Sequence, residues 1–133
     1  MFNKPMYYRR DGSPIWYGNT EADLHQATFE WGRLMEGERR VGDTMLPNGI
    51  RVSTVWLGLD HRFGFDDGPP LIFESMAFAA EESVHKAGED SLFTKDFVYH
   101  EELDCERYAT EAEAAAGHKA MCEKWASHGI EAS

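Results

Sequence analysis

The sequence predicts an α+β fold, with an antiparallel sheet of about four or five strands and two helices packed on one face. Apolar residues recur at helical spacing in two stretches, one near each end of the chain. Between them lie short apolar runs bounded by turn residues, a pattern that is typical of strands. Because hairpin signals join these runs more often than helical crossovers do, neighbouring strands are predicted to be antiparallel.

The first predicted elements are a small hairpin or bent edge strand and a helix. An aspartate-glycine turn signal divides the aromatic-rich segment MYYRRDGSPIWY. The helix then runs from about residue 20 to about residue 36. Asn19 or Thr20 can cap it, and Gly37 ends it. Its apolar stripe consists of Leu24, Ala27, Trp31, Leu34 and Met35.

Two strands joined by a tight turn are predicted next. The segments VGDTML and IRVSTVWLGLD flank Asn48-Gly49, and this dipeptide readily adopts the positive φ angles of a tight hairpin. The apolar alternation of the second segment changes phase near Ser53 and Thr54. This change indicates either a bulge there or a strand that is buried on both faces.

Residues 60–70, DHRFGFDDGPP, are predicted to form a loop, because two consecutive prolines do not fit a central strand. LIFESMAF then forms a further antiparallel strand. Strict alternation places Glu74 on a face with apolar neighbours. A glutamate in such surroundings needs an ionic partner. The candidates are Arg51, Arg62 and Arg107.

The last third of the chain combines an acidic stretch with a final helix. Residues 79–104 are predicted to be a variable, exposed, acidic excursion, with FTKDFVYH as a candidate short strand, and ERYAT returns to strand chemistry. The helix begins at Thr110, whose capping box is completed by Glu113, and runs to about Ser127. One of its faces carries Ala114, His118, Met121, Cys122 and Trp125.

Length and composition predict one globular domain, residues 1–133, of 42% hydrophobic content. With 24 acidic and 13 basic residues the formal charge is -11, which disfavours general nucleic-acid binding and anionic membranes and favours basic proteins or cations as partners. The start of the chain has no signal-peptide core, and no apolar run reaches the roughly 18 residues of a membrane helix. With two cysteines whose spacing demands no disulfide, these features predict a cytoplasmic protein.

The predicted binding site lies where the strand before the loop ends. Asp60 and His61 stand at this strand end, a position that often carries binding groups. In the structural alternative, Asp60 accepts backbone N–H bonds in the turn and His61 is exposed or packed. The full predicted site is Asp60, His61, Arg62, Phe63 and Glu74, with Trp16 as an exposed aromatic anchor.

A metal site is the weaker hypothesis. His118 and Cys122, four residues apart on one helix face, could supply two ligands, with His100 or Cys105 nearby. Zinc motifs usually show two close pairs of Cys or His, and only one pair is clear here. In the structural alternative, His118 bonds a sheet carbonyl and Cys122 packs as a small apolar residue. We therefore predict no metal, no cofactor and no assigned catalytic residue.

Three stretches of the chain resemble a group of small uncharacterised proteins found in tailed phages, prophages and bacterial genomes. These stretches are RRVGDTMLPNGIRVSTVWLGLDHRFG, GPPLIFESMAF and ERYATEAEAAAGHKAM, and they cover 53 of the 133 residues. The resemblance implies a phage-linked origin and assigns no residue roles. It increases the weight of phage accessory functions, such as neutralising a host factor, and of small virion components.

The function expected from these observations is that of a non-catalytic, phage-associated accessory protein that binds or sequesters a host protein or a small ligand. One alternative is a small metal-assisted hydrolase that uses Asp60, His61, Glu74 and His118. Another is a minor structural protein of a virion. A homo-oligomer is compatible with all three.

Overall fold

The computed structural model describes residues 5–16, 18, 20–61, 68–88 and 95–128. It confirms the α+β class, with two helices, a four-stranded antiparallel sheet and a separate two-stranded sheet. In chain order the elements are β1 (Tyr7–Tyr8), β2 (Pro14–Ile15), α1 (Glu21–Met35), β3 (Arg40–Met45), β4 (Arg51–Trp56), β5 (Phe73–His85), β6 (Phe97–Tyr108) and α2 (Glu111–Ala126).

The four-stranded sheet has the order β3-β4-β5-β6, so each strand pairs with its neighbour in the chain. The two-stranded sheet of β1 and β2 joins the end of β4 through a bridge between Tyr7 and Leu59. A backbone bond of 2.8 Å from the Tyr8 nitrogen to the Gly58 oxygen reinforces this junction. The first hairpin therefore lies beside the predicted loop site.

Helix α2 crosses one face of the sheet and contacts all four strands. Its buried residues Ala114 and Met121 enter two core clusters, one around Val52 and Ala77 and the other around Phe73. Helix α1 packs against β1, where Trp31 stacks on Tyr7 with ring centroids 5.1 Å apart. The Trp31 indole also donates to the Leu57 carbonyl oxygen at 3.0 Å, and Met35 packs against the Phe73 cluster.

The predicted local signals at both helix starts are confirmed. Thr20 and Thr110 have extended backbones, and each side-chain oxygen accepts a bond of 3.1 Å from the backbone nitrogen three residues later. The turn between β3 and β4 is also confirmed, with Gly49 at a φ of 89°. These signals could be read from the sequence because each acts over only a few residues.

The acidic stretch is exposed, as predicted, but its described residues continue β5 and β6 as two paired antiparallel strands. Pairing of β4 with β5 stops at Arg51 and Phe78, whereas β5 continues to pair with β6 as far as His85 and Phe97. Residues 79–85 and 97–102 therefore form a two-stranded projection beyond β4, which we call the arm. Register shifts at Ala77 and Phe78 mark its base. Its strand pairs explain why a charged stretch keeps an extended backbone.

No helix within the described ranges has both the length and the apolar character that crossing a membrane requires.

Candidate functional site

The predicted loop site begins with Asp60, whose carboxylate closes the loop. Its Oδ1 atom accepts a hydrogen bond of 3.1 Å from the backbone nitrogen of Leu71, across the loop. The backbone nitrogen of His61 donates to the Leu71 oxygen at 3.1 Å. Asp60 thus has the structural role that was its predicted alternative. Arg62 and Phe63 lie outside the described residues.

Glu74 lies near His61 at the same end of the sheet and has the ionic partner that its position requires. Its Oε2 atom accepts from Arg107 Nε at 2.9 Å, and its side chain is only 12% exposed. Arg107 stands opposite it on β6, so the sheet register itself brings the pair together. Of the other predicted candidates, Arg51 pairs instead with Asp43 at 2.7 Å. The Glu74 carboxylate is therefore held in a structural ion pair.

Two titratable groups near this ion pair are held in their neutral forms. Burial lowers the pKa of His61, and the charge of Arg107 lowers it further, while the carboxylates of Glu74 and Asp60 oppose the shift. Burial also raises the pKa of the Cys105 thiol to about 11, with a contribution from Glu74. The Cys105 thiol therefore stays protonated near pH 7, and a protonated thiol is a poor nucleophile.

Trp16 is 67% exposed, as expected for a binding anchor. Trp16 follows Ile15, which pairs with Tyr7 of β1. The residue before Tyr7 is Met6, whose backbone oxygen accepts a hydrogen bond of 3.2 Å from the Asp60 nitrogen. Met6 is also exposed. The structure therefore places the Trp16 backbone at the same end of the molecule as Asp60, His61 and Glu74.

His118 is a core histidine held by hydroxyl groups. Its Nδ1 atom lies 2.7 Å from the Thr54 hydroxyl, and its Nε2 atom lies 2.9 Å from the Thr44 hydroxyl. The Thr54 hydroxyl is also 2.5 Å from that of Ser75, and both residues are fully buried. The bonding partners are thus hydroxyls in place of the predicted sheet carbonyl. Both ring nitrogens of His118 are engaged without a metal.

Cys122 packs against the core cluster around Val52 and Met121, as its structural alternative predicted. Across the part of the chain that the structure describes, no group of three or more His, Cys, Asp or Glu side chains could hold a metal ion. His118 and Cys122 share a helix face, but the face is turned to the core, where hydroxyls and apolar side chains surround them.

The bonds of the Thr54 hydroxyl also explain why the apolar alternation of the β4 sequence changes phase at Ser53 and Thr54. Val52, Thr54 and Trp56 alternate on the buried face under α2, while Ser53 and Val55 face the other side. Neither a bulge in β4 nor burial on both faces is present, and the register shift lies in β3 between Arg40 and Gly42. A threonine can occupy a core position here because a histidine satisfies its hydroxyl.

The protein is expected to lose stability as the pH falls from about 7 to about 5, because His61 and His118 resist protonation in the fold. Burial lowers both pKa values below the ordinary value of 6.5 that applies to the unfolded chain. The unfolded state therefore binds more protons as pH drops through 6.5 towards the folded-state values, and folding becomes less favourable.

Chemical denaturation at a series of pH values checks this dependence. The double variant His61→Asn, His118→Asn should show a shallower decline than the native protein over the same range. Equal slopes in the two proteins would contradict the assignment of the decline to these histidines.

The arm exposes apolar side chains on both of its faces. Val84 and Val98 pair across the two strands and are each 56% exposed. On the opposite face Phe97 and Tyr99 have ring centroids 5.7 Å apart and are 38% and 40% exposed. Sequence reasoning missed this surface because the surrounding charges indicated a solvated excursion. The candidate strand FTKDFVYH is confirmed in its last four residues, which begin β6, but the sequence did not predict that residues 79–85 pair with it.

Carboxylates border the apolar side chains of the arm. Among residues 79–88 and 95–102 there are five acidic side chains and two lysines, a net charge of -3 with histidines neutral. The four glutamates, Glu81, Glu82, Glu101 and Glu102, are all exposed. An apolar surface with an acidic rim is thus presented on a fixed two-stranded scaffold.

A pocket of about 360 Å³ lies where the arm leaves the sheet. His100 fixes the arm at this point, because its Nδ1 atom donates to the Ala79 carbonyl oxygen at 2.7 Å. The pocket is lined by Met45, Gly49, Arg51, Phe78, Ala79 and His100. Its mixed lining can accommodate an apolar side chain next to a carboxylate or carbonyl that Arg51 could bind.

Comparison with protein families, with curated proteins and with solved structures finds no match to this chain.

Proposed function

We propose that this protein is a non-catalytic binding protein that occupies a partner protein through the arm. The observation that carries the proposal is the exposure of Val84, Phe97, Val98 and Tyr99 on two paired strands beyond β4. Exposed apolar groups clustered inside a polar rim are characteristic of protein interaction sites. Backbone pairing already holds these groups in position, so binding requires little further ordering.

The positions of the candidate catalytic groups support a binding function. Asp60 closes a loop, Glu74 is paired with Arg107, and His118 is engaged by two threonine hydroxyls. A general base must instead reach the proton of a bound substrate with a suitable pKa. These side chains serve the fold, which leaves the arm as the surface with the clearest use.

The proposed partner is a basic host protein, and the proposed setting is the host cytoplasm during phage or prophage expression. The net charge of -11 accelerates encounter with a basic surface and disfavours acidic ones. The resemblance of three stretches, 53 of the 133 residues, to small phage and prophage proteins supports this setting. Sequestering such a host protein requires a stable complex and no chemical step.

Affinity capture from a lysate of the producing cells, followed by native mass spectrometry, tests the proposal. The arm variant Val84→Thr, Val98→Thr, Tyr99→Thr removes apolar area but keeps residues that favour strands. The matched control is Trp16→Thr at the opposite, loop end. We expect the native protein and the control to retain one stoichiometric partner and the arm variant to lose it.

The same comparison separates the two surfaces. Loss of the partner with Trp16→Thr and retention with the arm variant would move the binding site to the loop end with Asp60, His61 and Glu74. Retention by both variants, or the absence of any stoichiometric partner, would contradict the proposal. Circular dichroism and thermal unfolding of each variant establish that a lost partner does not reflect a lost fold.

A further inference from the structure

Strand β6 is the edge strand of the sheet along its whole length. It pairs with β5 on one side, from Tyr108 opposite Phe73 to Phe97 opposite His85. On its other side, no strand within the described ranges pairs with it. A strand of 12 residues thus presents backbone donors and acceptors that a further strand can use, apart from the Cys105 nitrogen, which already donates to Asp104 Oδ1 at 2.9 Å.

Side chains along β6 divide this edge into two parts. Phe97, Val98 and Tyr99 form an exposed apolar part at the arm. An acidic part follows, with exposed Glu101, Glu102 and Glu106. Asp104 is separately committed, because its Oδ2 atom accepts from Lys124 Nζ at 2.8 Å and from the Trp125 indole at 2.9 Å. The remaining three glutamates are available to a partner along the edge.

We infer that the edge of β6 accepts an extended basic segment of the partner protein as a fifth, antiparallel strand. This inference rests on the proposed function and specifies its partner. Backbone hydrogen bonds provide affinity in strand addition, while alternate side chains provide specificity. An antiparallel segment with lysine or arginine in its N-terminal half places these cations opposite Glu101, Glu102 and Glu106. Its C-terminal half then places apolar side chains opposite residues 97–99.

The negative charges along β6 favour a different protein, and not a second copy of this chain, as the occupant of the edge. Symmetric antiparallel pairing of two β6 strands about Glu101 and Glu102 would bring carboxylates opposite carboxylates. Each chain also carries a net charge of -11, which adds long-range repulsion. A basic strand places cations opposite the carboxylates of β6, and its positive charge turns the long-range repulsion into attraction. The glutamates thus protect the edge against self-association and select a cationic partner.

The test uses a synthetic peptide of about ten residues, acetylated and amidated, with consecutive lysines in its N-terminal half, which place cations on both faces of the added strand, followed by alternating valine and threonine. Its first control has the same sequence with N-methyl groups on the amides of one edge, which blocks strand pairing and keeps charge and side chains. A second control replaces each lysine by glutamate. Binding is measured by isothermal titration calorimetry and located by hydrogen exchange.

We expect the basic peptide to bind at a one-to-one ratio and to slow amide exchange in residues 97–106, and both control peptides to fail. The variant Glu101→Gln, Glu102→Gln should weaken binding about five- to tenfold at low salt, the effect of two exposed charge pairs. The charge-matched control variant Glu21→Gln, Glu36→Gln lies on and just after α1 and should change binding less than twofold. Equal weakening by the two variants would show attraction by net charge alone and would overturn the inference.

Other outcomes also decide the question. Equal binding of the N-methylated peptide, or protection elsewhere on the chain, would overturn strand addition. Concentration-dependent dimers with protected β6 amides would identify a second copy as the occupant. If the peptides fail but the arm variant still loses its captured partner, the inference is wrong and the proposed function stands. If capture is also insensitive to the arm, both are wrong.

Discussion

Replacing Gly117 by alanine lowers the free energy of unfolding by about 1–3 kcal/mol, the opposite of the usual effect of alanine inside a helix. A Cβ atom at this position would lie 2.2 Å from the ring and hydroxyl of Tyr108. Tyr108 pairs with Phe73 in the sheet, and its side chain packs against the core cluster around Phe73. Either α2 must shift from the sheet or the tyrosine must leave its place.

Gly32 in α1 supplies the matched control, because a Cβ there meets nothing within 4 Å. Gly32→Ala should raise the free energy of unfolding by about 0.5–1 kcal/mol through the ordinary helix preference. Urea denaturation of both variants measures the two effects. If Gly117→Ala also stabilises the protein, the close packing of α2 on Tyr108 is wrong. In a Tyr108→Ala background, Gly117→Ala should lose most of its cost.

Replacing His118 by leucine should lower the free energy of unfolding by about 2–3 kcal/mol at neutral pH. The substitution fills a similar volume but removes both bonds that the ring makes, to Thr54 and Thr44. The Thr54 hydroxyl keeps one partner, Ser75, but the fully buried pair loses its connection to α2. The ring also lies directly over Gly42, so its loss leaves poorly filled space on β3.

A double-mutant cycle with Thr54→Val tests this network. Removing both partners of a buried hydrogen bond costs less than leaving one unsatisfied, so the double variant should lose less stability than the sum of the single variants. Additive losses would show that the histidine and the threonine are energetically independent. Denaturation at pH 7.5 keeps the comparison above the ordinary histidine pKa of 6.5.

The elements that the sequence predicted well depend on short-range rules. Thr20 and Thr110 cap helices by bonding backbone groups three residues away. Gly49 adopts the positive φ that its own turn requires. The face assigned to Glu74 also follows from local alternation. The ionic partner of Glu74 does not follow from local alternation. Arg107 was one of three candidates, and only the register of β5 with β6 selects it.

The features that the sequence could not predict depend on distant contacts. Thr54 and His118 are 64 residues apart in the chain. The sequence around either residue does not indicate that the other is its hydrogen-bond partner. The arm was missed for a related reason, because exposed glutamates within β5 and β6 resemble a solvated loop. Its extended form comes from cross-strand pairing, such as that of Glu82 with His100, which a single strand sequence does not display.

The proposed binding surface is the arm, whereas the sequence predicted a binding site at the loop end. Asp60, His61 and Glu74 lie at the loop end of the sheet, but the carboxylates of Asp60 and Glu74 are bonded to Leu71 and Arg107. The arm, at the other end of β5, presents more apolar side chains with an acidic rim. We therefore propose the arm end of β5, and not the loop end, as the binding surface.

The most direct measurement is hydrogen exchange of the protein, free and in complex with its captured partner. We expect slower exchange at residues 79–85 and 97–106 in the complex, with little change at residues 5–16 and 58–61. Slower exchange confined to those loop-end residues, with the arm unaffected, would contradict the claim that the arm is the binding surface.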